Sequence, residues 1–139
     1  MQILLGIGSN QHAEENIVAA MRRLEALLPG VRFSCARIFP SAQGGDVPPY
    51  TNLAAVAETE LTQAELKQHL RVIEAELGRD RNTPNCVAID LDILAYGNTS
   101  DPDLVACEYC LLPASEVAPE FRPEGSSRTL RELAEHLNK

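Results

Sequence analysis

The sequence predicts an α+β fold, a ferredoxin-like βαββαβ sandwich with a C-terminal extension and a final helix, over residues 1–139 as a single domain. Three observations carry this. Apolar residues recur with period 2 or period 3.6 in the order strand, helix, strand, strand, helix, strand. Breakers stand at the switches, at Pro29-Gly30, Pro40 to Pro49, Gly78 and Gly97. The chain has 139 residues, 45% hydrophobic and 23% charged, enough to build one core without a disulfide or structural metal.

Met1 to Ile7 reads as a buried strand that ends in the turn Gly6-Ile-Gly-Ser-Asn10. From Glu14 to Leu28 a helix is predicted, because Ile17, Met21, Leu24 and Leu28 share one face. Val31, Phe33 and Cys35 alternate with polar or small residues, the period of a half-buried strand. A Gly- and Pro-rich loop leads to a second strand from Tyr50 to Thr59, expected to pair antiparallel with the first of the two. Thr62-Gln-Ala-Glu65 has the form of a capping box, Leu66, Leu70, Ile73 and Leu77 line one face of the helix that follows, and Gly78 suits its C-terminus. A polar loop from Arg79 to Cys86 precedes the strand Val87 to Tyr96. The tail contains a short segment around Leu104 and a helix from Thr129 to Leu137, with Thr129 and Glu132 as a second capping box.

Composition limits the function. Twelve basic residues against 20 acidic ones give a net charge of -8, which repels phosphate backbones, and only 4% of residues are aromatic, with no Trp. A nucleic-acid partner is therefore not expected. No apolar run spans a bilayer, and the amino terminus lacks a basic region and cleavage site, so no membrane association and a cytoplasmic location are expected. Cys35, Cys86, Cys107 and Cys110 suit free thiols there; Cys107-Glu-Tyr-Cys110 lacks two further soft ligands for zinc and reads as two partly buried thiols.

The stretch Val87-Ala-Ile-Asp-Leu-Asp-Ile-Leu carries the strongest chemical signal. Alternation puts Val87, Ile89, Leu91 and Ile93 on one strand face and Asp90 with Asp92 on the other, their Cα atoms about 6.5 Å apart. Two such carboxylates can hold hard cations, and Arg79 and Arg81 just upstream point to phosphate as well. The glycines at 6 and 8 lack the third glycine of a dinucleotide fingerprint, and no phosphate loop is present. Nothing orients Ser9, His12 and Asp46 as a hydrolytic triad; they read as cap and loop residues.

Gly8-Ser-Asn10, Pro49-Tyr50-Thr-Asn52, Ile73-Glu74 with Gly78-Arg79-Asp-Arg81, and Ile89-Asp-Leu-Asp-Ile93-Leu together resemble the 6-hydroxymethyl-7,8-dihydropterin pyrophosphokinase family over nearly the whole chain. The resemblance implies transfer of the pyrophosphoryl group of ATP to a reduced pterin in folate biosynthesis, with two Mg²⁺ ions and a ferredoxin-like fold. It implies that Asp90 and Asp92 hold the metals and take part in catalysis with Arg79 and Arg81. Asn52, Tyr50 and Tyr109 would form the pterin pocket, and Glu74, Arg79 and Arg81 would face ATP.

The chain departs from the family at two places. Pro84-Asn-Cys-Val-Ala88 replaces a segment that carries an Arg where Val87 stands, and Cys107-Glu-Tyr109 replaces a later His- and Arg-containing motif. These losses imply a weakened phosphate clamp and slow turnover, which an Arg at position 87 is expected to raise. The alternative they open is a non-catalytic pterin- or nucleotide-binding module.

Overall fold

The structure, a computed structural model, describes residues 1–41, 47–80, 82–83 and 85–137. Its elements in chain order are β1 (Gln2–Ser9), α1 (Ala13–Leu27), β2 (Arg32–Phe33), β3 (Arg37–Phe39), β4 (Tyr50–Glu58), α2 (Gln63–Glu76), β5 (Asp90–Tyr96), β6 (Thr99–Ser100), α3 (Asp103–Ala106), α4 (Glu108–Val117) and α5 (Leu130–Leu137). The sheet runs β2-β4-β1-β5-β6, with β3 also on β4, and all these pairings are antiparallel. Apolar β1 therefore lies at the centre, between the two longest of its partners.

Alternation along the strands divides the core into two. Ile3, Leu5 and Ile7 of β1, Leu53 and Ala55 of β4, and Leu91 of β5 face α1 and α2, whose Ile17, Leu24, Leu66, Leu70 and Ile73 close that layer. Leu4, Ala54, Val56 and Leu94 face the other way, onto Leu104 of α3, Leu111 and Ala114 of α4, and Leu130 of α5. The C-terminal extension is thus a third layer. It covers only the Leu4 end of its sheet face, and the remaining half carries the site described below.

Several expectations hold. Thr62 and Glu65 form a reciprocal capping box at α2, and Thr129 with Glu132 does the same at α5. Gly78, at φ +95°, follows the last turn of α2 and bends the chain back so that the Arg79 amide donates to the Glu74 carbonyl at 3.0 Å. Ile89, Leu91 and Ile93 lie on the helix side of β5 and its lead-in, opposite Asp90 and Asp92.

Other expectations are corrected. β1 continues through Gly6 and Gly8 to Ser9, so these glycines are strand residues rather than a turn. The strand predicted from Val31 breaks at Ser34, because the Ala54 amide donates to the Ser34 hydroxyl at 2.8 Å in place of a ladder partner; pairing resumes as β3, inside what reads as a lead-in to a loop. β5 begins at Asp90 instead of Val87, and an irregularity opposite Leu4 and Leu5 turns Leu94 and Ala95 both to the second core. The helix α4 is missed by sequence reasoning, since Pro113 sits inside it, although its buried residues Cys110, Leu111, Pro113 and Ala114 share one helical face.

A Cβ at Gly78 would meet nothing within 4 Å, so replacement by Ala tests the backbone alone. Gly78→Ala is expected to cost about 1–2 kcal/mol in urea unfolding, because Ala at this φ is strained. A loss below about 0.3 kcal/mol would show that the turn after α2 relaxes freely.

Candidate active site

The uncovered half of the sheet face is built in rows. Asn52 on β4, Gly8 on β1 and Asp90 on β5 are mutually opposite across the three strands, and Ala54, Gly6 and Asp92 form the next row. Because Gly8 has no side chain, the floor between the Asn52 amide and the Asp90 carboxylate is bare backbone, whereas Leu94 packs over Gly6, where a Cβ would lie 3.3 Å from Leu94 Cδ1. The fit is close: a Cβ on Gly8 would lie 2.7 Å from Asn52 Nδ2. This close approach explains glycine inside a strand, where it otherwise costs stability.

Two cavities adjoin on this floor. The first, of about 180 Å³, is lined by Gly8, Phe39, Pro40, Tyr50, Asn52 and Tyr109, with Asp90 at its edge. Phe39, Tyr50 and Tyr109 are half of the chain's six aromatic residues, so a scarce residue type is concentrated at one place. Asn52 is buried, and its Oδ1 has no hydrogen-bond partner. An orphaned buried acceptor is costly, and it fits a ligand that brings an N–H donor. The second cavity, of about 310 Å³, shares Asp90 and Tyr109 with the first. Asp92, Asp101 and Asp103 stand along it, and Gln63, Lys67 and Arg71 of α2 approach it at intervals of four residues.

The carboxylate pair is held from behind. Glu74 is only 1% exposed, and its carboxylate accepts the Leu91 amide at 2.7 Å, an Arg71 Nη1 hydrogen bond at 2.5 Å, and the charge of Arg79 at 3.6 Å. Arg79 Nη1 in turn donates to the Ile89 carbonyl and to Asp90 Oδ1, each at 3.0 Å. Arg71 Nη2 lies 3.9 Å from Asp92 Oδ1. Each Asp therefore faces one guanidinium, and both guanidiniums rest on one buried carboxylate.

Two like charges on one strand face remain under-compensated. The Asp92 carboxyl is pushed up to about 7, first by loss of solvation in the cleft and then by the neighbouring Asp90 charge and a hydrogen bond shared with it; Arg71 opposes the shift. This donor set fits a divalent cation. Among the described residues no third acid completes a metal cage, and Mg²⁺ is commonly bound by one or two carboxylates together with substrate phosphates.

The profile of the family described as 7,8-dihydro-6-hydroxymethylpterin-pyrophosphokinase (HPPK) matches residues 4–119. The chain belongs to this family. Three relatives named 2-amino-4-hydroxy-6-hydroxymethyldihydropteridine pyrophosphokinase agree with the assignment. The one from Methylorubrum extorquens is 32% identical, with 96% of this chain and 92% of that protein covered. Those from Synechocystis sp. and Haemophilus influenzae are each 28% identical, covering 97% and 95% of this chain and 75% and 92% of their own lengths.

Set in the HPPK frame, the sequence-predicted residues Asp90, Asp92, Asn52, Tyr50 and Tyr109 all come together at the two cavities. Glu74 and Arg79 line neither; they form the support beneath Asp90 and Leu91. Arg81 and Asp46 lie outside the described residues. Sequence reasoning missed Phe39, Lys67 and Arg71. The i, i+4 spacing of Lys67 and Arg71 on a well-marked helix was the available signal for two of them.

Neighbouring motifs are structural. The Ser9 hydroxyl is buried and donates to the Ala88 carbonyl at 2.6 Å, and Asn10 Oδ1 accepts the Val87 amide at 2.6 Å, so Gly8-Ser-Asn10 anchors the segment before β5. His12 is exposed, at the start of α1. Cys107 is half-buried and Cys110 buried, both are free thiols, and burial followed by the Cys107 charge pushes the Cys110 thiol up to about 12, unlike an activated redox cysteine.

Val87 requires a correction. It is 5% exposed and precedes β5, pinned by its own amide and carbonyl to Asn10. An Arg at 87 would have to bury its guanidinium or break this anchor, so the gain in turnover expected from sequence is withdrawn. Val87→Arg is instead expected to lose about 2–4 kcal/mol in urea unfolding; stability equal to wild type would show that the side chain escapes to the cleft.

The Asp92 shift has a sign that can be measured. A carboxyl with a raised folded-state pKa binds its proton between about pH 4 and 7 while the unfolded chain does not, so its contribution to stability falls as pH rises through that window. Without metal, Asp92→Asn is expected to stabilise the protein at pH 8 by about 1 kcal/mol, a modest figure because half of the side chain is open to screening water. The advantage should vanish near pH 4. Melting in EDTA at both pH values checks this, and an equal or lower midpoint for Asp92→Asn at pH 8 would contradict it.

Proposed function

We propose that this cleft carries out ATP-dependent pyrophosphoryl transfer to 6-hydroxymethyl-7,8-dihydropterin in folate biosynthesis, with the pterin in the smaller cavity and ATP in the larger. The observation that carries the reading is the junction of the two cavities at Asp90 and Tyr109. A two-substrate transfer needs its reacting atoms brought into contact, and adjoining sites of opposite chemical character meet that need. One is aromatic with an unpaired amide oxygen; the other is lined by both acidic and basic side chains.

Asn52 pairs with the polar edge of the pterin, while Tyr50 and Tyr109 flank the ring. Asp90 and Asp92 hold Mg²⁺, as two ions, and these supply neutralisation of phosphate charge when bound. The pterin hydroxymethyl oxygen forms a bond to the β-phosphorus of ATP, the bond from that phosphorus to the α,β-bridging oxygen breaks, AMP leaves with the electron pair, and the hydroxymethyl proton passes to water. Arg79 fixes Asp90 through its 3.0 Å bond, and Glu74 fixes Arg79 and Arg71. Arg81 lies close enough in sequence to Arg79 to serve the ATP side.

The strand order β2-β4-β1-β5, with α1 and α2 on one face, supports the ferredoxin-like reading of the first six major elements, and α3 to α5 are the extension. No helix among the described residues is long and apolar enough to cross a membrane. With the net charge of -8, this supports a cytoplasmic protein without nucleic-acid partners. The non-catalytic alternative drew on the missing Arg at 87 and on the loss of the later His- and Arg-containing motif; the first of these is a packing matter, since Val87 belongs to the core.

The direct test incubates the protein with ATP, Mg²⁺ and the reduced hydroxymethyl pterin. AMP should appear in step with pterin pyrophosphate; ADP, or no product, would refute the reading. Asn52→Ala is expected to weaken binding of a pterin analogue by about 1–3 kcal/mol in calorimetry, since ligand donors and acceptors lose their partner. Unchanged affinity would remove Asn52 from the pocket.

A further inference from the structure

Among the described residues two arginines stand next to the carboxylates of the cleft, and they are not equivalent. Arg79 is 17% exposed, lines neither cavity, and has Nη1 engaged by the Ile89 carbonyl and Asp90. Arg71 is 36% exposed and lines the larger cavity. Its Nη1 is anchored, donating to Glu74 Oε1 at 2.5 Å and to the Leu91 carbonyl at 3.1 Å. Its Nη2 is directed to the cavity side, where the nearest ion-pair oxygen, Asp92 Oδ1, is 3.9 Å away and beyond hydrogen-bond reach.

A guanidinium is a rigid planar fork, so anchoring one nitrogen fixes the direction of the other. Arg71 is thus a cation held in place by one edge with donor capacity left on the other. One turn earlier on α2, Lys67 is exposed, lines the same cavity and makes no ion pair among the described residues. Asp90, Asp92, Asp101 and Asp103 line the same cavity, with Arg71 Nη2 3.9 Å from Asp92. Divalent ions belong at the carboxylates. Phosphate oxygens, which cannot approach the carboxylates uncovered, belong where they reach both the ions and these cationic side chains.

We propose that Arg71, assisted by Lys67, is a phosphate-facing cation of the cleft, with Nη2 directed to the pyrophosphoryl group as it leaves the α-phosphate. The inference rests on the pyrophosphokinase reading and adds to it a residue role that neither Arg79 nor Val87 fills. A preorganised donor aimed at charge that develops during transfer acts mainly on kcat. Lys67, a flexible point charge at the rim, acts mainly on binding.

The test compares Arg71→Met, Arg71→Lys and Lys67→Met with wild type in AMP formation, thermal melting, and calorimetry with a non-hydrolysable MgATP analogue and with a pterin analogue. Arg71→Met should lower kcat about 100-fold and leave pterin affinity within twofold, Arg71→Lys should recover part of the loss, and Lys67→Met should weaken the MgATP analogue about tenfold without a change in melting. If Arg71→Met keeps kcat within threefold of wild type, or loses pterin affinity and melting temperature together while Lys67→Met binds the nucleotide normally, the proposal is overturned. A wild type that forms no AMP refutes the functional reading alone. Nucleotide affinity of the Arg71 and Lys67 variants then decides this proposal, and unchanged affinity in both overturns it.

Discussion

The geometry of the cleft depends on one buried carboxylate. Glu74 comes from the last turns of α2, yet it accepts a backbone amide of β5 and carries both guanidiniums that face Asp90 and Asp92. A charge with 1% exposure is tolerable only when its oxygens are fully engaged, and removing a partner from such a group typically costs more than forming the pair contributes. The arrangement therefore fixes distances. Helix α2, the turn at Gly78 and the first residues of β5 are tied at one point, and the Asp pair inherits its position from that tie.

The parts of this fold that were legible in the sequence are those decided by local chemistry. Thr62 with Glu65, and Thr129 with Glu132, satisfy the first amides of their own helices, so no distant residue is needed to recognise them. The alternation around Asp90 and Asp92 is a property of four or five consecutive residues. Where distant partners decide, the sequence was silent. β3 exists because Ser34 substitutes its hydroxyl for a backbone partner and the Cys35 amide is taken by Glu116 of α4, far along the chain. The irregularity at Leu94 answers a core formed by α3 and α4, and α4 itself is fixed by burial of Cys110, Leu111 and Ala114 against the sheet in spite of Pro113.

The site divides in the same way. Asp90 and Asp92 were found from strand alternation, Asn52 and Tyr50 because the resemblance marks them, and all four meet at the cavities. Glu74 was marked too, but as a ligand-facing group, because nothing local says that an acid on a helix is buried. Gly6 and Gly8 read as a turn, since glycine pairs usually are turns; only the row Asn52, Gly8, Asp90 shows that the missing side chain of Gly8 clears the floor, while Gly6 makes room for Leu94. Phe39 was hidden in a segment too short to carry a period.

The electrostatics of the cleft explain how a chain of net charge -8 can accept a polyanion. Loss of solvation in the cleft, and after it the neighbouring Asp90 charge, raise Asp92 to about 7, so near neutral pH the pair is held in a state that a cation relieves. With no third acid to complete a cage among the described residues, the pair by itself offers a divalent ion few ligands. In the proposed reading phosphate oxygens would supply the others, which would couple metal affinity to nucleotide affinity. Binding would then cancel three unfavourable terms at once: repulsion within the pair, the charge on the phosphates, and the unspent donors on the α2 side. On that reading the acidic cleft would discriminate against a phosphate that arrives without its metal, and the same carboxylates that repel bare anions would be the reason a metal-bound one stays.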